Sequence, residues 1–331
     1  MKKIVSFICA LIVTSALFAG CGAGSGSNSQ SSSKKSGSYK EVTITNSLDG
    51  KNFKEKFTQK PKRAVSLAGF TTEMMLSLGL KDSMVGRAYQ DNKILDSLAK
   101  DYAKVPKLSD QNPSKEKLLD TQPDFLIGWS SSFSNDTFNR EFCKKNNIKM
   151  YVPKSIDSDA TMKTVYEDFN NLGKIFGVEE KSDEITQNMK KQIKEVQDKI
   201  KDSSKSKKRV FVYDSGEDAP FTASGGVAKD IISLAGGQNI FGDIKKSWSN
   251  VTWEQVVDRN PEYIIIVDYD SSKDSQAKKK FLMSNPALKN VDAIKNNRIF
   301  VVGLTDLEPG IRDSATVKSL AEKFYPEAFK N

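Results

Sequence analysis

Histidine is absent from all 331 residues, and that absence removes several chemistries together. Neither a Ser-His-Asp nor a Cys-His nucleophile can be assembled. Imidazole cannot ligate a metal, and a haem could be held only through Tyr or Met. Cysteine is nearly as scarce, with three in the chain. Cys9 and Cys21 belong to an N-terminal segment, so Cys143 alone is left for the folded part, with no disulfide or thiolate metal site open to it. Within FNREFCKKNNI it reads as a small buried apolar side chain. Gly128-Trp129-Ser130 lacks the second glycine of a nucleophile elbow. Ala223-Ser224-Gly225-Gly226 lacks the Lys-Ser/Thr of a phosphate loop. Asp268-Tyr269-Asp270, where a strand ends, is more often one buried cap and one solvated residue than a metal or acid/base pair. No metal site and no catalytic residue is expected, and the chain reads as a non-enzyme.

What is present begins at the N-terminus. Lys2 and Lys3 precede an apolar stretch from Ile4 to Ala19, shorter than the roughly 20 residues that a membrane span needs. Phe18-Ala19-Gly20-Cys21 then resembles a bacterial lipobox, with Phe18 in place of the usual aliphatic residue. That resemblance implies cleavage of signal peptide 1–20, lipid on Cys21, and anchoring on the outer face of the cytoplasmic membrane. Residues 21–38 add a Gly/Ser tether with almost nothing to bury. The formal charge of +9 falls to +7 without Lys2 and Lys3. The lysines are scattered or lie on helix faces, so they read as solvated surface. No basic-aromatic motif points to nucleic acid.

Beyond the tether, EVTITNSLDG is strand-like, and then short apolar runs alternate with amphipathic stretches. The runs are 63–67, 84–88, 124–128 and 149–152 in the first half, and 209–213, 263–268 and 298–302 in the second. Helices are expected at 71–78, 115–120, 136–146, 226–235, 252–259 and 314–323. Such alternation argues for α/β units with parallel strands. Between the halves, 160–176 reads as a helix closed by Gly177. Val178, Ile185, Met189, Ile193, Val196 and Ile200 then share one helical face. A helix over about 179–202 would span roughly 33 Å and suits a strut between an N-terminal lobe (39–158) and a C-terminal lobe (204–331), within a helical region 159–203.

Four segments carry a family resemblance. PKRAVSLAGFTTEMMLSLGLKDSMVG (61–86), SKEKLLDTQPDFLIG (114–128), VTWEQVVDRNPEYIIIV (251–267) and NPALKNVDAIKNNRIFVV (285–302) together resemble the substrate-binding proteins of ABC importers for ferric siderophores, haem and cobalamin. The resemblance implies two Rossmann-like lobes bridged by one long helix, with the ligand clamped in the cleft and little closure on binding. It also implies a monomer that captures a small-molecule metal chelate and hands it to a permease with its ATPase. A ferric siderophore is the leading ligand, with cobalamin or haem as the alternative, or a sensor role without transport; no resident cofactor is implied.

Site candidates follow from both lines. By the family motif, Glu116 and Glu254 occupy the places of the glutamates that pair with permease arginines, although either could instead favour its helix dipole. By the rule that ligands meet the carboxyl edges of parallel sheets, the first half offers Phe70, Thr71, Arg87, Tyr89 and the stretch from Trp129 to Phe133. The second offers Phe221, Thr222, Trp248, Tyr269 and the loop 308–312 with Arg312. The aromatics would supply flat apolar area and the two arginines planar donors for an anionic ligand. Trp253, inside the Thr-Trp-Glu motif, is expected in the core.

Overall fold

The structure is a computed structural model that describes residues 39–270 and 272–330. Signal peptide, Cys21 and tether lie outside the described residues. The first lobe opens with a hairpin of β1 (Val42–Leu48) and β2 (Lys51–Phe57) turning at Asp49-Gly50. Both turn residues have positive φ, 52° and 72°, as two-residue hairpin loops require. Then follow β3 (Ala64–Ser66), α1 (Gly69–Ser77), β4 (Met84–Ala88), α2 (Ala99–Tyr102), β5 (Lys107–Ser109), α3 (Lys115–Asp120), β6 (Phe125–Ile127), α4 (Arg140–Lys145) and β7 (Lys149–Tyr151). Strands three to seven form one parallel sheet in the order β5-β4-β3-β6-β7. Its central strands are buried on both faces, which is why Phe125-Leu126-Ile127 is an uninterrupted apolar run. Asn46 of the hairpin, fully buried, covers the β7 edge: its amide donates to Met150 O and accepts from Val152 N, at 3.2 and 2.8 Å.

Two helices lead out of this lobe. α5 (Met162–Phe176) ends on Gly177 in the left-handed conformation, as its position predicts. α6 (Glu179–Ile200) follows with Ile185, Met189, Ile193, Val196 and Ile200 buried on one face. The second lobe contains β8 (Lys208–Tyr213), β9 (Phe221–Ala223), α7 (Gly226–Leu234), β10 (Gly237–Asn239), β11 (Trp248–Asn250), α8 (Trp253–Arg259), β12 (Tyr263–Asp268), α9 (Ser272–Ser284), α10 (Asp292–Lys295), β13 (Ile299–Gly303) and α11 (Asp313–Phe324). Its parallel sheet runs β10-β8-β12-β13, and β9 and β11 form a separate antiparallel ribbon.

The chain therefore passes between the sheets once, through α5 and α6. α6 packs on α5 on one side and on α11 on the other. The hydrophobic core runs without a break from Phe125 and Phe169 through the α6 face to Val210, Ile231 and Leu320. The bridge is thus a wall of a shared core, and the strut expected from sequence is more deeply embedded than its charge suggested. The hairpin partner β2, edge strands β5 and β10, the β9–β11 ribbon and α9 went unread in the sequence.

Polar contacts also join the lobes. Arg312, ahead of α11, donates to Glu73 of α1 at 2.6 and 2.7 Å; the Glu73 side chain is almost fully buried and that of Arg312 is 11% exposed. Asn92 donates to Asp268 O and accepts from Thr305 N. Gly226 N donates to Ser158 O at 2.8 Å, and Met162 N donates to Asp230.

Candidate functional site

The carboxyl ends of both sheets open onto one cavity of about 610 Å³, within the range of small-molecule sites. Tyr89 and Asp91 reach it after β4, Trp129 after β6, and Ser155–Asp157 after β7. The second lobe contributes Phe221 of β9, Trp248 of β11, Tyr269 after β12, and Leu304, Leu307, Glu308 and Pro309 after β13. Apart from Phe221 and Trp248, which sit in the antiparallel ribbon, these residues follow strands of the two parallel sheets, at the edge where such folds receive ligands.

Each lobe builds an aromatic wall. In the first, Trp129 rests on Phe70 with ring centres 4.6 Å apart. In the second, Phe221 and Trp248 pair across the ribbon, stacked at 5.8 Å and 20°. Tyr89 takes φ 58°, a strained conformation for a residue with a side chain, of the kind that concentrates at functional sites. The floor is Gly225-Gly226. A Cβ on Gly225 would stand 2.6 Å from Lys246 O and 2.8 Å from Ser158 O, and Gly226 has φ 62°. Only glycine lets the start of α7 come this close to the other lobe's backbone.

The structure brings to the cavity wall Tyr89, Trp129, Phe221, Trp248 and Tyr269, with Ser131, Glu308 and Pro309 from the expected loops. It places six others elsewhere. Phe70 is buried behind Trp129, and Phe133 lies in the core beneath the first sheet. Thr71 is buried, its hydroxyl bonded to Ser66 and Ala68 O. Arg87 turns to α2, where its guanidinium lies 3.6 Å from the Tyr102 ring centre and donates to that hydroxyl; burial lowers its pKa. Arg312 is taken up by Glu73, Asp306 and Lys93 O. Neither arginine reaches the wall: Arg312 is held by acceptors nearer to hand, and Arg87 lies on Tyr102 with its Nε buried and unpartnered. Thr222 is likewise buried, and Trp253 packs in the core with its indole donating to Glu217 O.

Unread in the sequence were Asp91, Ser155–Asp157 and the glycine floor. The loop-after-strand rule, carried through to the strand at 149–152, would have selected Ser155–Asp157. Among the described residues, the charged ones lining the cavity are Asp91, Asp157 and Glu308, with no Lys or Arg. Glu308 is 5% exposed, and its Oε2 has no hydrogen-bond partner. Burial first, then Asp91 and Glu73, push its pKa well above the usual range, against Arg312 and Thr305. Tyr269 donates to Asp214 at 2.7 Å; burial, that bond, and the charges of Asp214, Asp91 and Glu308 raise its phenol far above normal. Among the described residues no group of three or more His, Cys, Asp or Glu side chains is placed to hold a bare metal ion.

Glu116 and Glu254 are both exposed, each at the second position of a helix, in α3 and α8. Ser114 Oγ already caps α3 by accepting from Lys117 N. Thr252 and Gln255 form a reciprocal capping box on α8. Both carboxylates are exposed; that of Glu254 is held below the usual range by its own backbone N–H and by the Thr252 hydroxyl at the start of α8. Cys143 is buried, as expected, and burial pushes its thiol up to about 12, where it stays protonated and unreactive.

A family model described as "Periplasmic binding protein" matches residues 65–303. A crystal structure of a periplasmic binding protein from Veillonella parvula superposes with a TM-score of 0.82 at 36% identity, over 87% of this chain and 99% of that one. An ABC transporter substrate-binding lipoprotein of Bacillus subtilis is 28% identical over the whole of both chains. The petrobactin-binding protein of the same organism is 26% identical over 90% of each. The vitamin B12-binding protein of Yersinia pestis is 27% identical over 66% of this chain and 73% of its own.

Proposed function

This chain belongs to the periplasmic binding protein family, and we propose that it is the extracytoplasmic substrate-binding component of an ABC importer, capturing a ferric siderophore and delivering it to the permease. The observation that carries the reading is the cavity at the carboxyl ends of two parallel sheets, walled by aromatic side chains from both lobes. Trp129, Tyr89, Phe221, Trp248 and Tyr269 offer flat apolar faces to a bulky chelate. Lipid on Cys21 would keep the protein at the membrane beside its permease. Glu116 and Glu254, one per lobe and equivalent in their helices, suit two-point docking onto permease arginines.

One observation favours a second reading. Arg87 and Arg312 do not line the cavity, and a corrinoid, held by apolar and backbone contacts, needs neither. The experiment is a tryptophan-fluorescence titration of the full chain in detergent with ferric catecholate, hydroxamate and carboxylate siderophores, haem and cobalamin. Saturable quenching by one ferric chelate, with its iron-free form much weaker, supports siderophore capture. Preference for cobalamin transfers the assignment to the second reading, and silence across the panel in folded protein contradicts both.

A further inference from the structure

The chain carries a formal charge of +9, yet the charged residues lining its cavity are all acidic. The two carboxyl groups come from different lobes, Asp91 from the first and Glu308 from the second, and both act on Tyr269, whose hydroxyl is already bonded to buried Asp214. The cations in the neighbourhood are committed. Arg312, which acts on Glu308, is shared between Glu73 and Asp306. Lys278, 5.3 Å from the Tyr269 ring centre, donates to Val267 O and pairs with Asp274. The first turn of α7 brings about half a positive charge to the wall, where the backbone of Asp157 packs against Gly226. Glu308 Oε2 is left with no hydrogen-bond partner in a side chain that is almost fully buried. A buried carboxyl group without a counter-charge is costly, and here a ligand can supply the missing charge. The same cavity is rimmed by Tyr89, Trp129, Trp248 and Tyr269, and aromatic faces attract cations.

We propose that the Asp91–Glu308 end of the cavity receives an organic cation, a protonated amine or similar group carried by the captured chelate. The cavity then discriminates against anionic chelates, whose carboxylates or catecholates would meet acidic side chains and, among the described residues, no Lys or Arg on the wall. This inference rests on the reading of the cavity as a chelate site.

The test uses one ferric linear trihydroxamate in three forms: with its terminal amine free, N-acetylated and N-succinylated. These present one positive, no and one negative charge on the same chelate. Titrations of the full chain are expected to rank them in that order, with at least a tenfold difference in Kd between the first and last. Glu308→Gln should compress the ranking, and Asp91→Asn provides the same readout if that variant fails to fold. Equal affinities, or tighter binding of the succinylated form, would overturn the proposal while leaving chelate capture intact. If no ferric form binds, the same three substituents on a corrinoid decide the matter. The charge ranking there keeps the proposal and removes the ferric reading, whereas no binding by either series removes both.

Discussion

The two lobes repeat one α/β grammar at the starts of α3 and α8 and diverge at the cavity. α3 and α8 each follow a polar cap and expose a glutamate at the second helical position. At the cavity the lobes diverge. The first presents Tyr89, Trp129 and Ile156 straight from the ends of parallel strands. The second adds a two-stranded ribbon that carries Phe221 and Trp248, and a glycine pair that lets α7 abut the other lobe. A cavity fitted to one asymmetric ligand gains from walls that differ.

Substitutions that strain this comparison should fall in a clear order. Arg312→Ala breaks the ion pair that joins the lobes and leaves Glu73 buried without a counter-charge, so it should cost about 3–5 kcal/mol, read as a lower urea midpoint. Its counterpart Arg87→Ala stays within one lobe and loses a contact with Tyr102 worth about 1 kcal/mol. Equal losses would show that the interlobe pair has no special weight. Trp129→Ala and Trp248→Ala each remove one aromatic wall and should weaken ligand binding by about 2 kcal/mol or more, some thirtyfold, by titration. A loss confined to one of them would show that a single lobe holds the ligand. Gly225→Ala drives a methyl group into the backbone of Ser158 and Lys246, and should cost about 1–3 kcal/mol and disturb cavity binding. Glu116→Ala combined with Glu254→Ala should shift stability by no more than about 0.5 kcal/mol and leave ligand affinity unchanged. It should abolish stimulation of the importer's ATPase in proteoliposomes; full stimulation by the double variant would remove the docking role.

Much of the frame was legible because parallel strands buried on both faces must be apolar runs. The expected runs 84–88 and 263–268 match β4 and β12 in extent, and Gly177 marked the end of α5. The ribbon was hidden because Phe221–Ala223 and Trp248–Asn250 are too short, and too far apart in sequence, to show a pattern. The hairpin partner β2 is mostly polar, yet Asp49-Gly50 carried a turn signal that could have revealed it. At the site, loop position selected the aromatics on the wall but misplaced the arginines. Whether a guanidinium faces a ligand depends on acceptors supplied from elsewhere, as Glu73 and Arg312 lie 239 residues apart. Buried Phe70, Thr71 and Phe133 show the same limit: residues beside a strand end can point inward.

The most direct measurement uses the three tryptophans as positional reporters. With 5-fluorotryptophan incorporated in the full chain, 19F spectra would be followed through a titration with the ligand found by fluorescence. A ligand clamped between the lobes should shift the Trp129 and Trp248 resonances together, to the same end point, while Trp253, buried in the second lobe's core, stays in place. A shift of one wall alone, or of Trp253 without the others, would contradict an interlobe site.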